Sequence, residues 1–161
     1  MSLHLMQCDA CFTDLTADLG LTLQPMIPIS EGYIINSVEL VNHKKLLIGT
    51  GNSKTKLYDI QSQGLLKEEN YPNVAQSICK APKSGKFMVL CLDKNAYMVS
   101  EENMAIQKKL FTFHYSGNIP RLASHGDLVV MSNPNFRGSN QQLLVYSMTT
   151  GESDYYYLDG V

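Results

Sequence analysis

The sequence predicts an all-β chain of repeated four-stranded antiparallel units, and three observations carry that prediction. Three short apolar runs, Leu46-Leu47-Ile48, Phe87-Met88-Val89-Leu90 and Leu128-Val129-Val130-Met131, begin 41 residues apart both times. A cluster of turn-forming residues precedes each run. β-Branched and aromatic residues fill the runs, and no long 3.6-residue apolar pattern competes with them.

The turn clusters are Asn42-His43-Lys44-Lys45, Pro82-Lys83-Ser84-Gly85-Lys86 and Ser124-His125-Gly126-Asp127. Gly, Asn and Pro supply backbone angles that an extended strand does not adopt, so each cluster reads as a hairpin. Upstream lies a first strand, within Ile35–Val41, Val74–Lys80 and Ile119–Ala123. The apolar run is the second strand, and the third follows in Lys56–Ile60, Ala96–Val99 and Leu143–Met148. A more polar fourth segment closes each unit, at Leu65–Tyr71, Ala105–Phe113 and Ser153–Leu158. The third strands place Tyr58, Tyr97 and Tyr146 39 and 49 residues apart; the insertion Asn133–Asn140 lengthens the second gap. Only Asp9–Leu21 reads as a short helix, capped by Thr13 or Asp14.

Four strands recurring at about 41 residues is the signature of a β-propeller blade. The text resembles a divergent WD-repeat propeller. His114-Tyr115-Ser116-Gly117-Asn118-Ile119 is similar to the His-Gly start of that repeat, and Pro82–Phe87 to its Pro-Asp-Gly-like hairpin. Leu57-Tyr58-Asp59-Ile60 is similar to its Trp-Asp end, with Tyr for Trp; the second and third units lack that Asp. The resemblance spans about residues 35–158 and implies blades at roughly 33–73, 74–114 and 115–161. Residues 1–30, with three Asp and no Lys or Arg, form an N-terminal extension or partial blade. Rings of this kind close with about four to eight blades. Closure is therefore expected from missing blades of a longer chain, from a homodimer, or from another chain, in that order.

Composition narrows the function classes. At 161 residues the chain can bury a core without disulfides, and its net charge of −2 lacks the electrostatic footprint of nucleic-acid binding. No run reaches the length of a membrane helix, no secretory signal opens the chain, and no Asn lies in a glycosylation motif. Cys79 and Cys91 sit in apolar strands, as buried thiols of a reducing compartment do. An intracellular protein, cytoplasmic or nuclear, is the expectation.

Motifs of chemistry fall short of their requirements. Cys8 and Cys11 make a Cys-x-x-Cys with His4 nearby, but a tetrahedral metal needs a second tight pair and none exists. Gly49–Thr55 lacks the Gly before Lys54 and the following helix of a phosphate loop. Ser124, His125 and Asp127 share one tight turn, where nucleophile, base and orienter cannot align. Phe136-Arg137-Gly138 is faintly similar to the Phe-Arg-Arg-Gly loop of phosphoinositide-binding propellers, with one Arg where phosphates want two. No cofactor or metal is expected.

The expected function is a non-enzymatic scaffold that binds other proteins, by analogy with what propellers of this kind do. Its weak candidate contacts are Phe136 and Arg137 in the inserted loop and Lys44, Lys45 and Lys83 in successive turns, where a basic face could meet an acidic partner. The alternatives are a channel enzyme completed by missing blades, for which the first strands offer only Glu39 and Arg121, and a phosphoinositide-binding propeller. The second-strand residues Phe87 and Val130 are expected to be buried.

Overall fold

Turn-forming residues break the apolar runs at regular intervals, and the chain between them pairs into antiparallel meanders. The computed structural model describes residues 32–114, 120–132 and 141–158, and within these it has twelve strands and no helix. The first sheet is β1 (Ile35–Asn42), β2 (Lys45–Thr50), β3 (Lys54–Asp59) and β4 (Leu65–Asn70). The second is β5 (Ala75–Ala81), β6 (Lys86–Cys91), β7 (Asn95–Ser100) and β8 (Ile106–Thr112). The third is β9 (Leu122–His125), β10 (Leu128–Ser132), β11 (Gln141–Ser147) and β12 (Ser153–Leu158). Strands follow chain order in every sheet, each antiparallel to its neighbours. Residues 1–31, including Cys8, Cys11 and the short helix expected over Asp9–Leu21, lie outside the described residues, as does the insertion at 133–140.

The sheets stack face to face, with β1 beside β5 and β5 beside β9. Strand β6 lies at the centre of the stack. Phe87, Val89 and Cys91 join Leu47, Ile78, Tyr97 and Val99 in a core between the first and second sheets. Met88 and Leu90 point the other way and join Val129, Met131, Leu144 and Tyr146 between the second and third. The five residues Phe87–Cys91 are each at most 1% exposed. A strand covered on both faces has no polar side to show, so its text runs apolar without alternation. In the second core the rings of Phe111 and Tyr146 lie 5.8 Å apart at a tilt of 47°, an arrangement that suits the aromatic quadrupoles.

Backbone hydrogen bonds repeat from sheet to sheet. At one end of the stack Ile60 N donates to Lys44 O, Glu101 N to Gly85 O and Met148 N to Asp127 O. At the other, Gly51 N donates to Ile34 O, Leu92 N to Val74 O and Ser132 N to Arg121 O. Left-handed backbone recurs too, at Ser53 (φ 64°) and Lys94 (φ 65°) after the second strands, and at Gln63 (φ 59°) and Met104 (φ 56°) after the third.

The third sheet departs from the spacing expected of it. The repeated acceptors Lys44, Gly85 and Asp127 are 41 and then 42 residues apart. Gly126 and Asp127 alone make the β9–β10 turn, whereas Pro82–Gly85 make the β5–β6 turn; Ser124 and His125, expected in the turn, belong to β9. A slip of one residue moves every side chain to the opposite face. Val129 therefore takes the place of Phe87, and Val130, expected in the core, lies on the outer face and is only half-buried.

Candidate interaction surface

The hairpins joining first to second and third to fourth strands all emerge at one end of the stack. The bonds at Lys44, Gly85 and Asp127 tie each pair of hairpins together, so this end is a row of braced turns. Asp127 braces the third pair further: its carboxylate accepts from the Ser147 hydroxyl at 2.6 Å, the Thr149 hydroxyl at 2.6 Å and the Thr149 N–H at 3.2 Å. Those bonds hold its carboxyl below the ordinary value of 3.8. Asp59 does the same in the first sheet, where Ser62 donates both N–H and hydroxyl and lowers its pKa.

Lys44 is exposed on the first of these turns; its N–H donates to Asn42 Oδ1 at 2.9 Å. Lys45 is half-buried at the start of β2, opposite Asp59. Lys83 is exposed on the equivalent turn of the second sheet, and its N–H donates to Gly126 O of the third at 3.1 Å. The three lysines thus share one end of the stack. Phe136 and Arg137 lie outside the described residues.

The other lysines of the two runs tie the molecule together, a role the sequence reading missed. Lys80 Nζ donates to Val41 O and to Glu101 Oε1, each at 2.7 Å, and its backbone N–H donates to Glu39 Oε1 at 2.9 Å. Lys86 Nζ reaches Met148 O of the third sheet at 3.2 Å. Lys54 and Lys56 pair with Glu68 on β4. The available signal was spacing: Glu39 and Lys80 stand 41 residues apart, the repeat length itself.

The two first-strand charges considered for a channel site do not converge. Glu39 faces the second sheet, where burial raises its carboxyl above 4.5 against the lowering pull of the Lys80 N–H and charge. The side chain of Arg121 is exposed just before β9. The thiols are shut away: burial raises Cys79, and pushes Cys91 up to about 12, far from the range of a reactive thiolate. Tyr97 is likewise pushed up to about 12 by burial and by donating its hydroxyl to Asp93 Oδ2 at 2.8 Å. Among the described residues no three His, Cys, Asp or Glu side chains group to hold a metal.

No protein-family model matches the chain, and no curated protein matches it. Solved structures do. The WD40 domain of Neurospora crassa Pan2 is similar with a TM-score of 0.64 at 11% identity, over 81% of this chain and 42% of that one. The WD40 domain of Toxoplasma gondii coronin is similar at 0.62 and 10% identity, over 78% and 34%. The three sheets are blades of a β-propeller. The fold is shared beyond WD40 domains: Kuenenia stuttgartiensis hydrazine synthase matches at 0.62 and 13% identity, over 77% of this chain and 37% of that one. The chain spans about two fifths or less of each of these three. In propeller terms β1, β5 and β9 are the inner strands of the blades and β4, β8 and β12 the outer ones.

Proposed function

We propose that this chain is a non-enzymatic protein-interaction scaffold built on a divergent WD-repeat-like propeller. The observation that carries the reading is the row of braced turns at one end of the blades, in which Lys44, Gly85 and Asp127 each accept the same cross-turn bond. Preorganised turns lose little entropy when a partner docks on them. Lys44, Lys45 and Lys83 offer positive charge at this end, interleaved with Asp59 and Asp127, that suits the acidic groups of a partner. The fold alone does not decide between binding and catalysis, since hydrazine synthase shares it; the buried thiols and the tethered Glu39 favour binding. We also propose an intracellular location, cytoplasmic or nuclear, supported by Cys79 and Cys91 being buried without a disulfide.

Cross-linking mass spectrometry tests the scaffold reading. Partner cross-links are expected at the β1–β2 and β5–β6 turns, and are expected to vanish in a Lys44→Glu, Lys45→Glu, Lys83→Glu variant whose circular dichroism is unchanged. Cross-links that persist in the variant, or that map to the opposite end, would overturn it.

A further inference from the structure

The outer strands of the three blades manage their open edges differently. An edge strand presents unpaired N–H and C=O groups, and proteins blunt it with lysines, mixed charge and bulges. On β4, Lys67 pairs with Glu69 at 2.9 Å, Glu68 accepts from Lys54 and Lys56, and the register with β3 slips between Leu57 and Tyr58. Strand β8 carries the exposed Lys108 and Lys109, and its register with β7 slips twice. Strand β12 has none of these features. It runs beside β11 in unbroken register from Ser153 to Leu158, and its one charged residue is Asp154. Among the described residues its other edge meets no strand. Ser153–Tyr157 are all exposed, Tyr156 at 52% and Tyr157 at 58%, whereas β4 and β8 each have half-buried side chains.

We infer that β12 is a docking edge for an extended basic segment of a partner protein, which adds to the third blade as a fifth strand. Backbone hydrogen bonds along such an edge give affinity, and side chains at alternate positions give specificity. Here the specificity is for positive charge. Glu152 stands just before the strand and Asp154 within it, and no Lys or Arg follows Arg137. Among the described residues no cation pairs with either carboxylate. Register puts Asp154 and Tyr156 on one face, opposite Val145 and Leu143, and Tyr155 and Tyr157 on the other. The alternate residues of an added strand therefore lie beside Asp154 and Tyr156. Arg or Lys at those places meets a carboxylate, a favourable cross-strand pair, and an aromatic face, which draws cations. A second copy of β12 would bring the same carboxylates and no cation, so charge selects against self-pairing. This inference stands apart from the scaffold reading, whose contacts lie at Lys44, Lys45 and Lys83.

A short synthetic peptide of alternating arginine and valine, added to the full chain, tests it. Amide hydrogen exchange should slow along β12 while β4 and β8 keep their rates. Fluorescence anisotropy of the labelled peptide should show affinity that falls as salt rises. The same peptide with every amide N-methylated keeps its charge but cannot pair as a strand, so it should not bind; nor should a peptide of alternating glutamate and valine. Asp154→Lys and Tyr156→Thr each change one exposed side chain. Both proteins should keep the parent circular dichroism and bind the peptide several-fold more weakly. No binding, equal binding of the N-methylated peptide, protection at β4 or β8 matching that at β12, or folded variants that bind as the parent does would each overturn the inference. So would a mass of twice the 18.0 kDa of one chain with β12 amides already slow before peptide is added, because a second copy would then hold the edge.

Discussion

The backbone N–H of Lys80 donates to the Glu39 carboxylate at 2.9 Å, across the junction of the first two blades and 41 residues along the chain. The Lys80 ammonium is occupied elsewhere, by Val41 O and Glu101, so Glu39 is incompletely neutralised. Burial consequently wins and raises its pKa above 4.5. A carboxyl raised on folding gives its stabilising contribution below its unfolded pKa and loses it as pH rises through the folded value. Glu39→Gln keeps an acceptor for Lys80 and removes the charge. Its urea midpoint should exceed the parent's at neutral pH, with the gap closing near about pH 4. A variant that is weaker at neutral pH would contradict this.

The two faces of the second strands predict unequal costs of truncation. Phe87 is 1% exposed in the first core, and Phe87→Ala should cost about 3–5 kcal/mol in denaturant unfolding. Val130, half-buried on an outer face, should cost about 1 kcal/mol or less as Val130→Ala. Equal losses would mean that the one-residue slip of the third blade is wrong.

That slip also marks where the sequence stops being legible. Apolar runs and turn clusters located the second strands well, because burial on both faces leaves a local trace in Phe87–Leu90. The parity of β10 left none: Leu128-Val129-Val130-Met131 is apolar at every position, so only the length of the β9–β10 turn decides which residues face the second blade. The lysine runs misled for a related reason. Whether Lys80 faces solvent or Glu39 depends on which first strands lie side by side, and composition is silent on that. Lys44 and Lys83 were legible as turn residues because the turns are local structure, whereas Lys45, expected in the turn, begins β2.

Left-handed backbone at Lys94 (φ 65°) gives a test of the repeated turns. Glycine adopts that conformation without the penalty of a Cβ, so Lys94→Gly should be more stable than Lys94→Ala by about 1 kcal/mol. Ser53, at the corresponding place in the first blade with φ 64°, should show the same order. Met104 also has positive φ but is 1% exposed, so its replacement by Gly should destabilise through the lost packing. Ala and Gly variants of equal stability at Lys94 would argue against the turn.

Asp127 predicts an acid response. Its hydrogen bonds from Ser147 and Thr149 depress its pKa, so its contribution is full above 3.8 and is lost as pH falls through the lower folded value. Asp127→Asn should lower the unfolding midpoint at about pH 6 and approach the parent at about pH 3. A constant difference across that range would show that the carboxylate charge plays no part in bracing the turn.

Amide hydrogen exchange tests the stacking of three blades most directly, because β6 is the one described second strand whose apolar residues feed two blade junctions. The amides of Phe87–Leu90 should be the slowest in the chain, exchanging near the global unfolding limit, with the outer strands β4, β8 and β12 markedly faster. Exchange at β6 as fast as at those outer strands would contradict the packing described.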